Sequence, residues 1–63
     1  MLIDADKIRT MRLDHGWTQE QLAEMCDVSV RTIQRIEKSG VAALDTTNAL
    51  AAVLRVERTA ILV

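Results

Sequence analysis

Three polar residues in the first half of this chain each sit between an apolar residue just before them and another four positions further on. Asp4 lies between Ile3 and Ile8, Thr18 between Trp17 and Leu22, and Ser29 between Val28 and Ile33. This is the hydrophobic staple around a helix N-cap, a pattern that fixes both where a helix begins and the angle at which the chain enters it. Thr18 adds a capping box through Gln21, and Asp45, preceded by Leu44, is placed to cap a fourth helix. Each such cap contributes about 1 kcal/mol. The expected stops agree with the starts. Gly16 ends the first helix, Gly40 ends the third, and Asp27, which tolerates the left-handed conformation better than most residues, sits at the turn after the second. The expectation is an all-α domain of four to five short helices over residues 1–63, with the second at about 19–25 and the third at about 30–38. A segment from about Glu57 to Leu62 would form a short fifth helix.

Length and composition narrow what such a fold can do. With 63 residues, the chain makes one small domain whose stability is marginal. Cys26 is the only cysteine, so no disulfide is available. No targeting segment or membrane-length apolar run is visible, and the expected location is the cytoplasm. The chain closes on Ile61-Leu62-Val63. That ending suits a covered surface, or the N-terminal part of a longer protein, better than a free monomer. With the face of the last helix, it is the expected homodimer surface. A formal net charge of −1 counts mildly against nucleic acid, but a basic stripe on one face is enough for phosphate contact.

Apolar positions follow helical spacing: Ile8 with Met11 and Arg12, Leu22 with Ala23 and Cys26, Ile33 with Ile36 and Glu37, and Leu50 with Val53 and Leu54. The second and third helices are joined by about three residues, Cys26-Asp27-Val28. So short a link fits a helix-turn-helix, and it fits an ordinary helical hairpin equally well. The outer face of the third helix separates the two. With Ile33 and Ile36 inward, Val30, Arg31, Gln34, Arg35 and Lys38 form one outward stripe with no acidic residue in it. Arg31 and Arg35, one turn apart, repel each other by a few tenths of a kcal/mol. Arg and Gln are the side chains that pair with guanine and adenine edges. The competing reading is a solvated basic face.

Gln19-Glu20-Gln21-Leu22-Ala23-Glu24, then Val28-Ser29, then Arg31-Thr32-Ile33-Gln34-Arg35-Ile36-Glu37 resemble the phage-repressor and Cro-like (XRE) helix-turn-helix family, over about Ile8 to Leu62. The resemblance implies a compact, lambda repressor-like fold and a transcription-regulator role, with double-stranded DNA as partner. It assigns Val30, Arg31, Gln34 and Arg35 to base edges in the major groove. Thr18, Gln19, Ser29, Thr32 and Lys38 go to the sugar-phosphate backbone. Arg12 and Glu37 match a structural ion pair between the first and third helices. The chain departs from the family pattern at Asp27, where glycine is usual, at Ser39, which lengthens the spacing before Gly40, and at Asn48, a position that is commonly apolar.

The remaining chemistry-bearing residues have plain readings. His15 suits the negative end of the first helix. One His and one Cys are too few for a metal site. Cys26 reads as a small buried hydrophobe and Trp17 as a core residue. No nucleophile-base pair or phosphate loop is present, so neither an enzyme nor a cofactor is expected. The alternative to a DNA-binding regulator is an antitoxin or other protein-interaction module on the same fold, with a toxin as its partner.

Overall fold

The computed structural model describes residues 1–63. Four helices, α1 (Ala5–Asp14), α2 (Gln19–Cys26), α3 (Val30–Ser39) and α4 (Leu44–Leu54), are followed by a single 3-10 turn at Arg58–Ala60. The first three starts are capped as the sequence demands. Asp4 accepts from Lys7 N at 3.1 Å, Thr18 and Gln21 form the full capping box, and Ser29 accepts from Thr32 N at 3.2 Å. The stops hold as well: Gly16, Asp27 and Gly40 all have positive φ. Asp27, at φ 58° and ψ 43°, lies squarely in the left-handed region, and its amide closes the end of α2.

The second half of the chain departs from expectation in four places. Helix α4 begins at Leu44 rather than after Asp45, with Ala43 as an N-cap that makes no side-chain bond. Asp45 lies in the first turn and accepts from Thr46 N at 2.9 Å. The reason is register. Thr47, Leu50, Ala51 and Leu54 are the buried positions of α4, and Thr47 is tolerated there because its hydroxyl donates to Ala43 O at 2.9 Å. Asn48, read as filling an apolar position, is therefore exposed and accepts from Arg58 Nη1 at 3.2 Å. The expected fifth helix is only the Arg58–Ala60 turn. Helix α3 runs one residue beyond Lys38, where Ser39 Oγ bonds back to Arg35 O at 2.8 Å.

The core collects one face of each helix. Ile8, Leu22, Ile33, Ile36 and Leu50 are fully buried, and Ala23 lets α2 and α3 approach closely. Burial of side chains of this size stabilises by roughly 1.5–3 kcal/mol each. Cys26 is buried beside them, and desolvation pushes its thiol pKa up, away from a reactive thiolate. Three further core residues, Ile3, Ala42 and Ile61, come from outside the helices. Backbone hydrogen bonds between distant segments hold them in place. Ile3 N donates to Gly40 O at 2.7 Å and Ala42 N to Met1 O at 3.1 Å. On the other side Asp4 N donates to Ile61 O at 2.9 Å and Val63 N to Leu2 O at 3.4 Å. The chain's first residues thus lie between residues 40–42 and 61–63, antiparallel to both. Ile61, expected at a dimer surface, is instead 0% exposed.

Helices α1 and α3 are tied by one ion pair. Arg12 Nε donates to Glu37 Oε2 at 2.7 Å and Nη2 to Oε1 at 3.1 Å, while Nη1 reaches Trp17 O at 2.8 Å. The two side chains are only 9% and 5% exposed. The forked geometry and the extra acceptor at Trp17 satisfy the guanidinium, which is what a buried pair requires to offset its desolvation.

Two stability predictions follow from these contacts. Gly16 and Gly40 both have positive φ, but a Cβ on Gly16 would meet nothing within 4 Å, whereas one on Gly40 would lie 2.6 Å from Ile3 O. Urea titration should show Gly16→Ala losing about 1 kcal/mol and Gly40→Ala clearly more, since only the second adds a clash to the left-handed penalty of about 1–2 kcal/mol. Equal losses would mean that the Ile3–Gly40 contact yields freely. Arg12→Ala should destabilise the domain by ~3–5 kcal/mol by stranding buried Glu37, while Arg12→Met with Glu37→Met should recover most of that loss in the same titration.

Candidate nucleic-acid interface

The site is built on α3, the most strongly amphipathic helix of the molecule. Ile33 and Ile36 are 0% exposed and hold the helix from behind. Their spacing turns Arg31, Gln34, Arg35 and Lys38 out to solvent. With Ser29 and Thr32, these four line one shallow groove that contains no hydrophobic residue. Neither Arg31, Arg35 nor Lys38 takes part in any ion pair, since the two in the molecule are Arg9–Asp6 and Arg12–Glu37. Glu37 is the only acidic residue of α3, and its carboxylate is turned inward. Three uncompensated positive charges therefore share one helix face, in a chain whose net charge is −1. The remainder of the surface is acidic overall. That asymmetry orients the molecule toward a polyanion.

The residues expected at this interface are not all brought together. Val30 is half-buried and packs against the core, so it presents less of itself than a fully outward reading implies. Ser29 and Thr32 lie in the groove, but their hydroxyls also bond each other at 3.0 Å. Thr18 and Gln19 stand apart, at the N-terminus of α2. Gln19 Nε2 donates to Glu37 Oε1 at 3.2 Å, a bond that nothing in the spacing of the sequence announced. The same carboxylate thus orients both Arg12 and Gln19, so the start of α2 and the body of α3 are positioned by a common acceptor. The link between the two helices consists of Asp27, Val28 and Ser29, one residue later than read from the sequence. The α3–α4 connection, Gly40 to Ala43, carries no basic residue. His15 does cap α1, and its ring stacks on Trp17 with centroids 4.2 Å apart, on a side lined by neither arginine of α3.

No helix of the molecule is long and apolar enough to cross a membrane. No curated protein matches the chain. Among solved structures, the N-terminal DNA binding domain of SinR from Bacillus subtilis is similar, with a TM-score of 0.80 at 23% sequence identity. The match covers 87% of this chain and 83% of that one. At that identity the likeness speaks for the all-helical fold. The profile of the HTH_3 family, described as helix-turn-helix, matches residues 8–61, which takes in α2, its left-handed turn and the whole of α3. The chain belongs to the HTH_3 helix-turn-helix family, a family of DNA-binding regulators.

Proposed function

We propose that this protein is a sequence-specific transcriptional repressor that inserts α3 into the major groove of double-stranded DNA. The observation that carries the reading is the set of unpaired cations Arg31, Arg35 and Lys38 on a helix anchored from behind by two buried isoleucines. A major groove about 12 Å wide accepts one α-helix. In that pose Arg31 and Arg35 pair with guanine, Gln34 with adenine, and the exposed part of Val30 meets a thymine methyl group. Ser29, Thr32 and Lys38 contact phosphates and set the register. Thr18 and Gln19 do the same across the groove, where the free amide groups at the start of α2 favour an anion. Gln19 keeps one side-chain N–H for this role after bonding Glu37. The protein acts in the cytoplasm as a homodimer on a palindrome, with half-sites about 10–10.5 base pairs apart.

The rival, a toxin-binding module on the same fold, has no use for an uncompensated cationic groove. Selection of bound sequences from a random DNA pool tests the choice directly and returns the operator and its spacing. On the selected site, Arg35→Ala should cost about 1–3 kcal/mol and relax preference at one base pair, whereas Lys38→Ala should weaken all sequences alike. Equal losses on every sequence for Arg35→Ala would reduce that residue to a phosphate contact. In a salt titration, log affinity should fall against log salt with a slope that drops by roughly 0.9 for each phosphate contact removed. A slope near zero, or no enrichment from the pool, would overturn the DNA reading.

A further inference from the structure

Each of the four helices is followed by a residue in the left-handed conformation: Gly16, Asp27, Gly40 and Arg55. Glycine takes that conformation freely, and aspartate tolerates it. Arg55, at φ 59° and ψ 46°, is the exception, a long side chain at a position that glycine fills without strain. Outliers of this kind collect at ligand clamps. The guanidinium of Arg55 is also unpartnered. Arg9, Arg12 and Arg58 donate to acceptors of this chain, and Arg31 and Arg35 line the groove assigned to DNA. Arg55 takes part in neither ion pair and lines a separate hollow.

That hollow is the largest on the molecule, about 570 Å³ against 350 Å³ for the groove on α3. It is lined by His15, Trp17, Met25, Ala52, Val53 and Arg55, and it shares no residue with the cationic groove. Trp17 precedes α2 and Met25 lies near its end, while Ala52, Val53 and Arg55 come from the end of α4. The rings of His15 and Trp17 lie within 8° of parallel, and Met25 is 42% exposed. The lining is therefore a stacked ring pair, a thioether and two small aliphatic groups, with one permanent charge among them. No acidic residue lines the hollow. Glu24 lines the adjoining one, across Trp17 and Met25, without pairing to Arg55.

We propose that this hollow binds a small organic carboxylate that carries an aromatic ring. Its volume falls within the range of roughly 300–1,000 Å³ usual for ligand pockets, which are mostly apolar and orient their ligand through a few polar groups. Arg55 supplies the forked donors that match a carboxylate. Met25 offers its polarizable sulfur to the ring, and the His15–Trp17 pair offers an aromatic surface. A neutral ligand leaves Arg55 without a counter-charge, and a bare small anion leaves the apolar lining wet, so the site selects for both features together. Glycine in place of Arg55 would keep the turn and lose the clamp, which accounts for a strained residue at this helix end. The site lies apart from the surface proposed for DNA and does not rest on the regulator reading.

The test needs no DNA. Trp17 is the only tryptophan in a chain without tyrosine, so its emission reports on this hollow directly. Titration of the intact chain with 3-phenylpropionate should change that emission saturably and raise the thermal transition. 3-Phenylpropanamide, the same molecule without its charge, should bind about tenfold more weakly, and acetate more weakly still. Arg55→Gly should lose the same factor for 3-phenylpropionate while its unliganded thermal transition holds or rises, because glycine relieves the left-handed backbone. Equal binding of the acid and the amide overturns the proposal, and so does equal binding by Arg55→Gly and the parent chain. An emission that 3-phenylpropionate leaves unchanged up to millimolar concentration overturns it as well. A blocked Asp-Phe dipeptide that binds more tightly than 3-phenylpropionate would also overturn it, and would assign the hollow to a segment of a partner protein.

Discussion

Glu37 decides whether the outer face of α3 can be cationic. It is the one acidic residue of that helix, and Arg12 takes it out of play with two hydrogen bonds and near-complete burial. A buried ion pair is weak evidence for stability, because desolvation offsets most of the attraction. Its value here is orientation. The forked contact fixes the rotation of α3 about its own axis relative to α1, and rotation determines whether Arg31 and Arg35 face solvent or the protein. The isoleucines alone would permit some slippage, since apolar contact is non-directional. The pair supplies the direction. Gln19 draws the start of α2 into the same arrangement, so two of the elements proposed to meet DNA share one acceptor.

What could be read from the sequence is what local chemistry determines. Capping and staples announced α1, α2 and α3 because each needs only residues within one turn of the helix start. The Arg12–Glu37 pair was legible through the family resemblance, since the spacing of two residues 25 apart carries no geometric signal of its own. Helix α4 was misplaced for a related reason. Asp45 is an acceptable N-cap by type, and nothing local prevents it from serving. The start was decided instead by which residues face the core, and that choice buried Thr47, whose hydroxyl could be satisfied by the carbonyl of Ala43. Tertiary packing overrode a cap of about 1 kcal/mol. The N-terminal clamp was missed altogether. Ile3 read correctly as one half of a staple, but its backbone bonds to Gly40 and lies opposite Leu62, both beyond the reach of any periodicity argument.

The candidate site was legible to a similar depth. Six of the nine residues assigned to DNA lie around one groove because they belong to a single helix and its cap, where a period of 3.6 residues is a reliable guide. Val30 was the exception on that helix. At the first position of α3 it lies close to the turn from α2, and the approach of the two helices covers part of it. Thr18 and Gln19 belong to another helix, so their relation to the groove depends on how α2 meets α3, which sequence spacing does not encode.

Gly40 joins these separate features into one construction. Its positive φ ends α3 after Ser39, so the cationic stripe stops there. Its carbonyl accepts from Ile3, and the absence of a side chain admits the Ile3 backbone at a distance that no other residue would allow. The bond brings the first residues of the chain against the end of α3, and the alternation it imposes turns Leu2 and Val41 outward together. The stop of α3, the burial of Ile3 and the exposed apolar face therefore share a single cause. The α3–α4 connection has no lysine or arginine with which to follow a phosphate backbone. An apolar loop at the end of a cationic helix leaves the proposed DNA contact to α3 and the start of α2.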